Sequence, residues 1–276
     1  MIAPKESRFL LKMVSMTDTG RVRSHNEDSV VVNADSRLAI LADGMGGYNA
    51  GEVASGMAAS IVHQVVEEML PMLPVDQADD TSLPAKNLLT RAISEANLAI
   101  LEAAANIADY SGMGTTIVAA LFQHNAVTIA HVGDSRAYRL RDRQLTQMTR
   151  DHSLLQEQVD AGLISPEQAQ FAQHKNLITR AVGVDLVVEA ETNEFTLAPE
   201  DVYLLCSDGL SDMINDIAIA EILNTCGDDV TKAGHTLVAY ANQQGGRDNI
   251  SVILIRVFVD DPASKNFFNR CRQWVK

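Results

Sequence analysis

Apolar residues recur along this chain with two different periods, and the alternation between them sets the expected order of elements. Dense runs of the strand kind occur at 9–16 (FLLKMVSM), 29–33 and 38–42 (LAILA). The third ends abruptly in Asp43-Gly44-Met45-Gly46-Gly47, a glycine cluster that marks a tight backbone turn. Helical spacing takes over from 50 to 70 through Val53, Met57, Ile61, Val65 and Met69. It returns from 85 to 107 through Leu88, Leu89, Ala92, Ala96 and Ile100. The intervening LPMLPVDQADDTSLP, rich in proline and aspartate, reads as a surface loop.

Four strand-length runs follow, at 115–122, 126–132, 137–140 and 144–148, separated by HN, GDSR and RDR turns, and their spacing predicts an antiparallel meander. Residues 151–174 turn polar and helix-prone, with Pro166 suited to the first turn of a short helix. Strands at 187–195 and 202–206, helices around 217–223 and 230–242, and a last strand at 250–258 complete the pattern. This order predicts an α+β fold of mixed, largely antiparallel sheets covered by helices. No repeat or composition break divides the chain, so a single domain over 1–276 is expected. Within it stand an insert at about 151–183 and a tail from about 260 to 276, which carries Phe267, Phe268 and Trp274 beside four basic residues.

Bulk properties narrow the function. A formal charge of −14 and a pI near 4.8 argue against general affinity for nucleic acid or anionic membrane, both of which need basic surface. Bound divalent cations reverse that sign locally, so an acidic protein can still hold phosphate. Cys206, Cys226 and Cys271 leave an odd thiol and no CxxC spacing, which indicates neither a disulfide framework nor a zinc site and fits a reducing cytoplasm. None is followed by arginine at the sixth position, so a thiolate nucleophile is disfavoured. The stretch 9–16, interrupted by Lys12, is too short for a signal-peptide core or a membrane span.

The candidate chemistry lies in four aspartates of similar setting. Asp43 ends LAILA, Asp134 follows AVTIAHVG, Asp208 follows VYLLCS and Asp248 precedes NISVILIRV. Each stands where a buried strand meets a turn, a rigid support from which distant carboxylates can converge. Any one alone is an ordinary turn residue. Four together, without histidine or cysteine clusters, point to hard oxygen coordination of Mg²⁺ or Mn²⁺ and to water activated against a phosphoester. Two other classes share part of this pattern: a non-catalytic relative of such an enzyme, and a two-metal nuclease or phosphodiesterase. Loss of a metal carboxylate would mark the first and a basic groove the second, and the sequence carries neither sign.

The blocks TDTGRVRSHNED, LADGMGGYNAGEVAS, SGMGTTIVAAL, HVGDSRAYRL, LTQMTRDHS, NLITRAVG, LLCSDGLSD and GGRDNISVILI occur in this order between Met13 and Val257. In them the chain resembles the PPM, or PP2C-type, metal-dependent protein serine/threonine phosphatases, especially the bacterial branch. Eight ordered blocks are far more specific than any single motif. The resemblance implies a four-layer αββα sandwich. It further implies hydrolysis of phosphoserine and phosphothreonine monoesters by direct attack of a metal-bridging water, without a phosphoenzyme.

Residue by residue, the resemblance implies that Asp43 bridges two core ions and that the Gly44 carbonyl ligates the second. Asp208 and Asp248 complete the first, while Glu27 and Asp28 act near the second through water. Asp134 serves a third, weaker ion, and Arg23 binds the substrate phosphate, a task suited to its fork of donors. The proton donor to the leaving group is open. Family members often place histidine where this chain has Met45 or Tyr48. A metal-bound water or His152 could serve, although a histidine in this setting more often simply caps or packs at a helix start. Residues 151–183 match a variable flap beside the active site. A cognate bacterial Ser/Thr kinase, its phosphorylated substrates as partners, a cytoplasmic location and a monomeric state complete the expectation.

Overall fold

The computed structural model describes residues 9–47, 50–73, 82–165, 168–169 and 177–259. Tyr48, Pro166, parts of the insert and the tail from 260 to 276 lie outside the described residues.

Among the described residues, eleven strands form two sheets in which every pairing is antiparallel. One sheet runs β1 (Phe9–Asp18), β11 (Ile250–Val259), β10 (Val202–Cys206), β7 (Arg136–Arg141), β8 (Gln144–Gln147). The other runs β2 (Asp28–Asn33), β3 (Leu38–Met45), β5 (Ile117–Gln123), β6 (Ala126–Val132), β9 (Glu191–Thr196), and the short β4 (Gly114–Thr115) pairs with the end of β3. The α-helices that lie wholly within the described residues are α1 (Ala50–Met69), α2 (Ser82–Asn106), α3 (Leu154–Asp160), α4 (Asp208–Ser211), α5 (Asp216–Cys226) and α6 (Val230–Gln243).

Three apolar clusters explain why the strands read as continuous apolar runs rather than as alternating ones. On β3, Leu38, Ile40 and Ala42 face α1 and α2, whereas Ala39 and Leu41 face the opposite sheet. On β11, Val252 and Leu254 face α5 and α6, whereas Ile253, Ile255 and Val257 face β3, β5 and β6. Strands covered on both faces need apolar side chains on both. The result is the expected four-layer order: helices, sheet, sheet, helices.

The expected meander divides into two hairpins. β5 pairs with β6 and β7 with β8, but GDSR carries the chain from one sheet to the other instead of pairing β6 with β7. On its other side β6 pairs with β9, and β7 with β10. A tight turn and a short crossover have the same local composition, so periodicity cannot separate them. The strand expected from 187 begins only at Glu191. Before it, Asn97 of α2 holds the loop by accepting from Gly183 N–H at 2.6 Å and donating to the Asp185 carbonyl at 2.9 Å. Among the described residues no helix is long and apolar enough to cross a membrane.

Candidate active site

One edge of the sandwich gathers the acidic residues. Asp28 opens β2 and stands opposite Asp43 on β3. Asp208 begins α4 two residues beyond β10, Asp248 precedes β11 by two residues, and Asp134 lies in the β6–β7 crossover. The antiparallel register brings these strand ends to one side, because Asp18 at the end of β1 pairs with Ile250 at the start of β11. Residues up to 220 positions apart in sequence are therefore electrostatic neighbours. Asp43 is pushed well above its ordinary proton affinity by burial first, then by Asp28, Asp208, Asp134 and Asp248. Asp208 is raised in the same way by burial, then by Asp134, Asp212, Asp248 and Asp28.

Asp28 and Asp134 are each lifted to about 6, again chiefly by burial. For Asp28, hydrogen bonds from Ser251 and Ser207 oppose the rise, and the Ser207 hydroxyl donates to its Oδ2 at 2.9 Å. Its Oδ1 is buried with no protein partner. Mutual repulsion of buried carboxylates together with an orphaned oxygen is the signature of a site that needs positive charge. Every donor in the cluster is oxygen, so the residues present fit a hard divalent cation such as Mg²⁺ or Mn²⁺.

The local backbone is stitched around Asp43. Its N–H donates to Thr116 Oγ1 at 3.1 Å, while its carbonyl accepts from Thr116 N–H at 2.9 Å and from Thr115 Oγ1 at 2.8 Å. Gly44 is required for close approach, since a Cβ there would lie 2.1 Å from the Gly51 carbonyl oxygen and 2.7 Å from that of Glu27. Glu27 in turn reaches the first turn of α1, where its carboxylate meets the favourable end of the helix dipole beside Gly51.

Arg23 donates to Asp248 Oδ2 at 2.6 Å with its own side chain half exposed, and that bond raises its proton affinity further. Its guanidinium is thus held at the rim of the acidic cluster. Arg136 binds Asp151 through Nε and Nη2, at 3.0 and 2.6 Å to Oδ2. His152 is buried at the start of α3, immediately before the N-cap Ser153.

Two residues that carry the site were not singled out by sequence. Asn249 accepts from Glu27 N–H at 2.8 Å and donates to the Thr19 and His25 carbonyls at 3.0 and 2.9 Å. It ties the whole 19–28 segment to the Asp248 turn. Asp212 contributes to the raised proton affinity of both Asp134 and Asp208. Its spacing of four from Asp208 on a helical turn was the available signal.

A different group, His131, His152 and Glu191, brings ligand-type atoms within 4.8 Å of one another. The two imidazoles stack at 4.7 Å with their planes 19° apart, so their in-plane lone pairs cannot meet at one ion. The aspartate cluster is the better cation site.

The sequence profile of protein phosphatase 2C matches residues 20–245. The chain belongs to the protein phosphatase 2C family. It is 40% identical over 242 residues to the serine/threonine phosphatase stp of Listeria monocytogenes, covering 87% of this chain and 93% of that protein. It is 41% identical over 252 residues to the serine/threonine protein phosphatase PstP of Mycobacterium tuberculosis, covering 90% of this chain but 45% of that longer protein. The crystal structure of the catalytic domain of PstP in complex with 2 manganese ions superposes with a TM-score of 0.78 at 38% identity, over 91% of this chain and all of that one. The phosphatase 2C fold therefore extends over nearly all the described residues.

Proposed function

We propose that this chain is a metal-dependent serine/threonine protein phosphatase that hydrolyses phosphoserine and phosphothreonine monoesters. The carrying observation is the convergence of Asp28, Asp43, Asp208 and Asp248 at one sandwich edge, with the Asp28 Oδ1 buried and unpartnered. Asp43, the Gly44 carbonyl, Asp208 and Asp248 would hold two core Mn²⁺ or Mg²⁺ ions, Glu27 and Asp28 would act through water beside them, and Asp134 would serve a third. When bound, the ions lower the pKa of a water nucleophile and offset phosphoryl charge.

The chain's own groups do the rest. Arg23 captures the non-bridging phosphate oxygens through its fork of donors and places phosphorus over the carboxylate cluster. Asp248 Oδ2 holds that guanidinium in reach before substrate arrives. Thr115 and Thr116 fix the Asp43 backbone so that little reorganisation accompanies reaction. The substrates are phosphorylated proteins of a cognate bacterial Ser/Thr kinase in the cytoplasm. The enzyme works as a monomer, one phosphatase domain spanning 1–276, with 151–183 as a flap beside the site.

The test assays a phosphothreonine peptide, an aryl phosphate, a bis-phosphodiester and single-stranded DNA, with Mn²⁺ or Mg²⁺ and with chelator. The expected result is metal-dependent hydrolysis of the two monoesters, nearly abolished by Asp43→Asn with the fold intact. Full activity in chelator contradicts the metal assignment. Cleavage of the diester or DNA alone favours a nuclease, and no hydrolysis at all favours a non-catalytic relative.

A further inference from the structure

The crossover that carries Asp134 is held by a residue outside the acidic cluster. At the end of the β6 ladder, Gly133 leaves the sheet with φ of +102°, and a Cβ there would lie 2.7 Å from Thr116 Cβ. Both of its backbone polar groups go to His152. Gly133 N–H donates to His152 Nδ1 at 3.2 Å, and the Gly133 carbonyl accepts from His152 N–H at 3.0 Å. Gly133 is thereby wedged between His152 and Thr116, the residue that exchanges two hydrogen bonds with Asp43.

The hydrogen bonds fix the tautomer. A backbone amide can only donate, so His152 Nδ1 presents its lone pair and the ring proton sits on Nε2. That Nε2 is buried without a hydrogen-bond partner, facing Glu191 Oε2 at 3.6 Å. His131 stacks against the ring and donates from its own Nε2 to the Arg150 carbonyl at 2.8 Å, which locks the imidazole pair to the backbone before α3. On the other side the His152 carbonyl accepts from Thr179 N–H at 2.8 Å, and Ser153 bridges Ile178. Proton transfer to substrate is a poor use for this histidine, because its one ring proton is buried and faces Glu191. Metal ligation at Nε2 is equally poor, because it would move the proton to Nδ1, against the Gly133 amide.

We infer that His152 is a positioning residue whose Nδ1 lone pair, engaged by Gly133 N–H, sets the orientation of the Asp134 carboxylate and ties it to the root of the 151–183 insert. The inference rests on the reading of Asp134 as the ligand of a third ion. Partners of this kind, one step removed from a ligand, shift metal affinity about 10-fold or more when removed.

The experiment measures Mn²⁺ binding to the full chain by calorimetry, with free Mn²⁺ followed by electron paramagnetic resonance, and phosphothreonine-peptide kinetics in parallel. His152→Leu is expected to weaken the weakest Mn²⁺ site about 10-fold and to lower kcat, with KM for peptide within about twofold. The tighter Mn²⁺ sites are unchanged and report an intact fold. His152→Asn, whose Oδ1 takes the place of Nδ1 as acceptor, stays within about threefold of wild type in both readouts. Should His152→Leu fail to fold, His152→Gln, which moves its amide past Gly133, replaces it with the same expectation. Wild-type Mn²⁺ binding in His152→Leu, or a loss in His152→Asn as large as in His152→Leu, overturns the inference. Asp134→Asn separates the two layers. If it leaves the Mn²⁺ isotherm unchanged, the ligand reading fails and the inference with it; if it removes the weak site while His152→Leu does not, the inference alone fails.

Discussion

Replacing Asp28 with Asn is expected to make the metal-free protein more stable while weakening its hold on Mn²⁺. Burial lifts the Asp28 carboxyl from 3.8 to about 6, so the folded state holds this proton more tightly than the unfolded chain does. The sign follows from linkage: the stability associated with this group is fully present below pH 3.8 and is lost as pH rises through about 6. At pH 7.5 the ionised carboxylate therefore costs about 3 kcal/mol, at 1.36 kcal/mol for each tenfold change in proton affinity. Asparagine removes that charge and keeps an oxygen to accept from Ser207. Urea unfolding in chelator should place Asp28→Asn about 3 kcal/mol above wild type at pH 7.5, narrowing to about 1 kcal/mol at pH 4.5. Excess Mn²⁺ should largely close the gap, because only wild type gains the full binding contribution, about 2.7 kcal/mol at a hundred times Kd. A variant less stable than wild type in chelator at pH 7.5, or a difference that does not shrink on acidification, would refute the electrostatic reading of the cluster.

Three further substitutions probe separate parts of the site. Asn249→Ala removes three part-buried hydrogen bonds that join the 19–28 segment to the Asp248 turn; denaturation should show a loss of about 2–4 kcal/mol, and a loss under about 0.5 kcal/mol would dismiss the stitching role. Gly44→Ala forces the start of α1 away from β3, since the new methyl would lie 2.1 Å from the Gly51 oxygen. A loss of about 1–3 kcal/mol together with weaker Mn²⁺ binding is expected, and an unchanged Mn²⁺ isotherm would contradict that placement. Arg23→Ala should raise KM for phosphopeptide about tenfold or more by removing a charge-assisted phosphate contact; unchanged KM and kcat would take Arg23 out of the site.

Much of this architecture could be read from the chain because its strands are buried on both faces. Runs such as LAILA and VYLLC admit few other placements, and β6 and β10 fall at the residues expected from composition alone. The crossover at Gly133 could not be read, since what decides it is the partner of β6, which is β9 some 60 positions later. The aspartates were legible as a set because each follows or precedes such a strand. Their mutual distances were not, and neither was the role of Asn249, whose three partners lie more than 220 positions away. Arg23 was legible only through the surrounding motif, because half-exposed arginines are common and its bond to Asp248 is a long-range contact. His152 was legible as a residue packed at a helix start; its hold on Gly133 depends on the fold bringing the crossover and the insert root together.

The most direct test of the account is anomalous scattering from crystals of the full chain soaked in Mn²⁺, recorded on both sides of the manganese edge. The account predicts at least two manganese peaks at the sandwich edge, both within about 2.6 Å of Asp43 oxygens or the Gly44 carbonyl, with Asp208 and Asp248 on one of them. Ordered, unsoaked-like carboxylates with no manganese near Asp43, or manganese bound only elsewhere, would contradict it.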